Sequence, residues 1–189
     1  MVGVAVMALV AGGDGDGPPA SAVPKAAASY EAQTTPPPWP PSYVNLADRI
    51  EELGFPPVGD ESYHVHALLS VFVDGEQVTV PANIGIDEAS GTVSPLHTHD
   101  PNGVVHLEAD EPYPFSLVQV LGVWGVAFGP GQLGGMRDEG PRSVQVYVNG
   151  EKIVDPVAYE LRDQDNVVIA YGEPGSFPIE PPADALSGA

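Results

Sequence analysis

From residue 62 onward, apolar side chains alternate with polar ones at the period of a strand that buries one face. In Tyr63–Val73, Val65, Ala67, Leu69, Val71 and Val73 form one apolar set, and His64, His66, Leu68, Ser70 and Phe72 form the other. Asp74-Gly75 is a type I′ turn signal, so residues 77–80 should return as a hairpin with Val73 facing Glu76 and Val71 facing Val78. A second hairpin is expected to pair residues 92–99 with 104–109 around Asp100-Pro101-Asn102-Gly103. That register sets His97 opposite His106 and His99 opposite Val104. It also places Leu96, Val105 and Leu107 on one face, and His97, His99, His106 and Glu108 on the other.

Helical spacing appears twice. Residues 42–54 carry Leu46, Ala47, Ile50 and Leu53 as a stripe, with Ser42 or Asn45 able to cap and Gly54 to stop. Ser116 caps a second, short helix with Leu117, Val120, Leu121 and Trp124 on one face, which Gly122 and Gly125 weaken. Residues 128–141 are read as a glycine-rich loop that lacks the GK[ST] of a phosphate cradle. Val144, Val146 and Val148 alternate up to the turn Asn149-Gly150, and residues 167–171 form a last strand. Strand pairs around one or two short helices predict an α+β fold, a small mixed sheet of hairpins packed on those helices.

Three segments follow. Residues 1–41 comprise an apolar stretch, 1–12, and a Pro/Gly/Ala-rich spacer expected to be disordered. Residues 42–172 form a single α+β domain, and the Pro-rich tail 173–189 is expected to be flexible. The stretch 1–12 is shorter than the roughly 20 residues that cross a bilayer. It reads either as the remnant of a signal or anchor, or as an ordinary apolar terminus. The stalk-like composition after it favours the first, and with it membrane attachment through the N-terminus and an extracytoplasmic, secreted or anchored location.

Charge and composition then narrow the function. Aspartate and glutamate total 26 against 6 lysines and arginines, a net charge of -20, which excludes a protein that grips nucleic acid through phosphate contacts. The same acidity suits a surface working in high salt. No cysteine is present, so disulfides, thiolate metal sites and cysteine nucleophiles are excluded.

All five histidines, His64, His66, His97, His99 and His106, fall in the two hairpins. Each i, i+2 pair puts both rings on one face of its strand, away from the valine and leucine stripe. If the hairpins share a sheet, these rings converge. Neutral imidazole is a ligand for Zn(II), Cu(II) and Ni(II), whereas calcium and magnesium prefer oxygen. The cluster is therefore a candidate site for a divalent transition metal, expected to take up about one equivalent. Asp100 and Glu108 stand where a carboxylate orients an imidazole, although Asp100 also suits capping its own turn.

Two resemblances add to this. The order hairpin–helix–strand–strand, closing on LRDQDNVVIAYG, is similar to a β-grasp arrangement with its L-x-D-x-D-x-V corner. The segments YHVHALLSVFVDGEQVTVPANIGI, SPLHTHDPNGVVHLEAD, FSLVQVLGVWGV and VQVYVNG resemble a bacterial family of unassigned activity. Its members share an H-x-H strand, an LHTHD-x-x-G-x-x-H hairpin and a W-G helix, and many carry an N-terminal anchor or signal. The resemblance spans residues 42–172. Some members carry a cysteine before the LHTHD element, where Thr92, Val93 and Ser94 stand here, so it implies no thiol chemistry.

Three functions fit these residues. One is a protein that holds, buffers or delivers a metal ion outside the cytoplasm. Another is a small metalloenzyme in which three histidines hold an ion that activates water, with Glu108 or Asp100 as base. The third is an assembly domain stapled by metal. No H-E-x-x-H helix or G-x-S-x-G turn supports a particular reaction.

Overall fold

The computed structural model describes residues 31–57, 59–180 and 186. The apolar stretch 1–12 and most of the spacer lie outside these residues. In chain order the elements are α1 (Leu46–Glu52), β1 (Tyr63–Val73), β2 (Glu76–Val78), β3 (Ile86–Asp87), β4 (Thr92–Val93), β5 (Leu96–His97) and β6 (Val104–Ala109). After them come α2 (Leu117–Trp124), β7 (Phe128–Gly129), β8 (Gln132–Leu133), β9 (Met136–Arg137), β10 (Ser143–Val148), β11 (Glu151–Lys152) and β12 (Asn166–Gly172).

Among the described residues, seven strands form one mixed sheet in the order β11-β10-β12-β1-β6-β5, with β2 also pairing β1. The central pair β1–β12 is parallel and its other neighbours are antiparallel, a β-grasp-like α+β arrangement. The first hairpin has the expected register, Val73 opposite Glu76 and Val71 opposite Val78. Asp74 and Gly75 both take positive φ, as a type I′ turn requires.

One face of the sheet holds the main core. Ala67, Leu69 and Val71 of β1, Val105 and Leu107 of β6, and Val167 and Ile169 of β12 pack there with α2. Every residue of α2 is buried. Its start is fixed by the Ser116 backbone N–H, which donates to Gln119 Oε1 at 2.8 Å, one half of a capping box. Gly122 lies against Leu53, where a Cβ would come within 2.8 Å, so the glycine that weakens the helix also admits α1 beside it. The α1 stripe is Leu46, Arg49 and Leu53, with the half-buried Ile50 also packed on the core, while Ala47 is exposed. The Arg49 guanidinium donates to the Val123 carbonyl at 3.2 Å near the end of α2, where a cation suits the helix dipole.

Besides Ala47, four expectations need correction. The domain begins before residue 42. The Gln33 backbone bonds to Gly125 and Ala127, and Trp39 is 1 % exposed, edge-on to Trp124 with ring centroids 5.9 Å apart. The C-terminal segment is not free either, because Phe177 packs with Phe72, Val168 and Ala170 on the far face of the sheet. In both segments a single buried aromatic anchors a stretch whose average composition resembles a linker.

Residues 128–141 form three short antiparallel strands, because Leu133 and Met136 enter the core on either side of a glycine pair, of which Gly134 lies against the Trp39 ring and Gly135 against the backbone of Thr34–Pro36. Finally, Thr92 and Val93 turn back to pair with Asp87 and Ile86, and the β5–β6 ladder ends at His97–His106. His99 therefore lies beyond the ladder, and Val104 pairs with Leu68 of β1.

Candidate metal centre

The histidines occupy the sheet face opposite the main core. On β1 the residues from Ala67 to Phe72 are buried on both faces, whereas His64 is exposed and His66 half-buried. The β1–β6 register sets His66 opposite His106, and the β5–β6 register sets His97 opposite the same His106. One row across three adjacent strands thus reads His66, His106, His97. His64 lies two residues along β1, on the same face as His66.

Local bonds hold the far end of this row. Thr98 is buried between His97 and His99. Its hydroxyl donates to the Pro81 carbonyl at 2.8 Å and accepts from the Ile84 backbone N–H at 3.1 Å. This anchoring pulls Thr98 inward and leaves its two neighbours on the outer side. His97 Nδ1 lies 2.9 Å from the Ser94 carbonyl. A carbonyl only accepts, so Nδ1 carries the hydrogen and Nε2 presents its lone pair. On β1, the His66 backbone N–H donates to Asp163 Oδ1 at 3.3 Å, and Gln164 donates to the His66 carbonyl at 2.8 Å. The corner after residue 160 thereby fixes that strand end.

The ring nitrogens crowd together. His64 Nε2 is 3.0 Å and His66 Nε2 3.2 Å from the same atom, His106 Nδ1. His97 Nε2 is 3.2 Å from His99 Nε2. One nitrogen faced by two others has a single proton or a single lone pair to offer, so hydrogen bonding alone satisfies the group poorly. Imidazoles on a tetrahedral ion, each about 2.05 Å from it, stand about 3.3 Å apart, close to these contacts. Two triads follow, His64–His66–His106 and His97–His99–His106, each with its ligand nitrogens within 4.8 Å of one another. Both can hold a metal ion.

Electrostatics keep the rings ready to ligate. Burial, together with the neighbouring His97, His66, His99 and His64, pushes His106 down to a pKa of about 4. Burial and His64 lower His66 against the opposing pull of Asp163 and Glu108, and burial also lowers His97. At neutral pH these three are uncharged, the form that binds metal. Glu108 supplies a carboxylate at the centre. Its Oε1 is 3.2 Å from His64 Nε2, 3.7 Å from His97 Nε2 and 4.0 Å from His106 Nδ1.

All five sequence-predicted histidines therefore meet on one face, with Glu108 among them. Asp100 is exposed, and the side chain that bonds within its turn is Asn102, whose Oδ1 accepts from the Val104 N–H at 2.9 Å. Ser94, Thr98 and Asp163 position the histidines without a signal in the sequence, since Thr98 and Asp163 reach partners far along the chain and Ser94 uses only its carbonyl. No helix among the described residues is long and apolar enough to cross a membrane. The chain matches no protein-family model, no curated protein and no solved structure.

Proposed function

We propose that this is a divalent transition-metal-binding protein that holds, buffers or delivers Cu(II), Zn(II) or Ni(II) through His64, His66, His97, His99 and His106. The observation that carries this reading is the approach of His64 and His66 to His106 Nδ1 at 3.0 and 3.2 Å, a spacing suited to ligands of a common ion. Imidazole donors suit these three ions better than calcium or magnesium. Work outside the cytoplasm belongs to the same proposal and rests on the apolar stretch 1–12 and the stalk-like composition after it. The test is metal analysis of the protein as isolated, followed by calorimetric titration with each ion. The expected result is tight uptake that His97→Ala with His106→Ala abolishes while the fold persists by circular dichroism. No uptake of any of the three ions by the wild-type chain would overturn the reading.

Glu108 favours a second reading, a metalloenzyme in which this carboxylate takes a proton from metal-bound water. Such a site keeps an open coordination position. Azide added to the Cu(II)-loaded protein would then shift its visible spectrum, whereas a ligand-saturated holding site would leave the spectrum unchanged.

A further inference from the structure

We infer that the histidine face binds two divalent ions, one in each triad, with His106 shared and the Glu108 carboxylate lying between them. This rests on the metal-binding reading above and goes beyond it in number and arrangement. Five imidazoles and one carboxylate are more donors than a four-coordinate ion uses. They are also spread along a row rather than around one point. Adjacent strands lie about 4.8 Å apart, so β1 and β5 are separated by about 10 Å, with β6 and His106 midway.

The close nitrogen contacts divide in the same way. His64 and His66 turn their Nε2 atoms to His106 Nδ1, while His97 turns its Nε2 to His99. The His106 ring takes part in both groups, lying 4.5 Å centroid to centroid from His66 and 4.6 Å from His99. An imidazole has two ring nitrogens, and one ring serves two ions once its remaining N–H proton has passed to solvent. Glu108 Oε1 touches one imidazole of each triad, His64 at 3.2 Å and His97 at 3.7 Å. His97 is 3 % exposed and the Glu108 side chain 12 %, so two dications here need a nearby negative charge, and Glu108 supplies it.

Titration of the full chain with Zn(II), read by calorimetry and by native mass spectrometry, tests the count. Two equivalents are expected. A single equivalent would overturn the pair and leave the metal-binding reading standing, and none would remove both. His64→Ala with His66→Ala, and separately His97→Ala with His99→Ala, should each lower the count to one. Retention of two equivalents by either double variant, or of none by a variant that is folded by circular dichroism, would overturn the division into triads. Should a double variant fail to fold, the wild-type chain still decides. Loaded with two equivalents of Cu(II), it should show the weakened paramagnetic resonance signal and half-field line of a coupled pair. Two independent full-intensity Cu(II) signals would refute the shared His106.

Discussion

Glu108 reaches His64 across a strand boundary, its Oε1 3.2 Å from His64 Nε2, and the two residues stand directly opposite in the β1–β6 ladder. The pair sits two residues beyond the row His66–His106–His97, towards the start of β1. A carboxylate here faces three imidazoles, one from each of β1, β5 and β6, and helps set which proton or ion they hold.

Replacing that charge by a neutral isostere tests its part in binding. Glu108→Gln keeps the shape, so the metal-free fold should persist. Metal affinity should fall by about 10- to 100-fold, the usual effect of losing an outer carboxylate partner, and by more if the carboxylate itself ligates. Competition against a chromophoric chelator measures this, and unchanged affinity would reduce Glu108 to a bystander.

The metal-free protein should lose stability as the pH falls from about 6.5 to about 4. His106 has a folded pKa of about 4, against an ordinary value of 6.5 in the unfolded chain. Between the two, the unfolded chain takes up a proton that the folded one refuses, so acid favours unfolding across this window. His64 and His66 on β1, His97 and His99 around β5, and Glu108 on its own strand are the titratable groups facing it. Urea denaturation of chelator-treated protein at a series of pH values should show the decline. His106→Gln should flatten part of it and leave the pH dependence above about 7 unaltered.

The register that makes the site was legible because turns count residues. Gly103 with Pro101, and Asp74 with Gly75, fix where each hairpin reverses, and the two-residue period then puts His97 against His106. That His66 faces the same residue follows from the pairing of β1 with β6, a contact between distant segments that neither hairpin encodes locally. His99 left the expected ladder for a similar reason: Thr98 is held by Pro81 and Ile84. Trp39 and Phe177 were hidden by their proline-rich surroundings, since an average over a window conceals one aromatic with a place in the core. Arg49 broke the apolar stripe of α1 because the carbonyls near the end of α2 offer a cation partners that apolar periodicity does not reveal.

Those two aromatics make the domain limits testable. Trp39→Ala should cost about 3–5 kcal/mol, the range for deleting a fully buried large aromatic. Phe177→Ala should cost less, about 2 kcal/mol, because its cluster at the sheet's far face is small. Chemical denaturation of each variant gives these values directly. A loss below about 0.5 kcal/mol at Trp39, the level of ordinary surface changes, would return residues 31–41 to the status of a spacer.

The tightest link between fold and site is Gly103. It takes φ +84°, and a Cβ there would lie 2.3 Å from the Leu69 carbonyl oxygen. Its own carbonyl accepts from the Leu69 N–H at 2.8 Å, so the turn before β6 is pressed directly onto β1. Gly103→Ala adds both a disfavoured backbone conformation and a backbone clash, and should cost about 1–3 kcal/mol from the conformation alone. Relief of the clash requires the turn to move away from β1, drawing β6 and His106 from His64 and His66. The variant should therefore lose metal affinity as well as stability, although residue 103 offers no ligand. Gly91→Ala is the control, since its φ of +71° carries similar strain but nothing lies within 4 Å of the added methyl. Calorimetry on both variants separates the outcomes. A larger stability loss at Gly103, with affinity impaired there alone, ties the centre to the β1–β6 approach, and equal affinity in the two would show that His106 keeps its place without it.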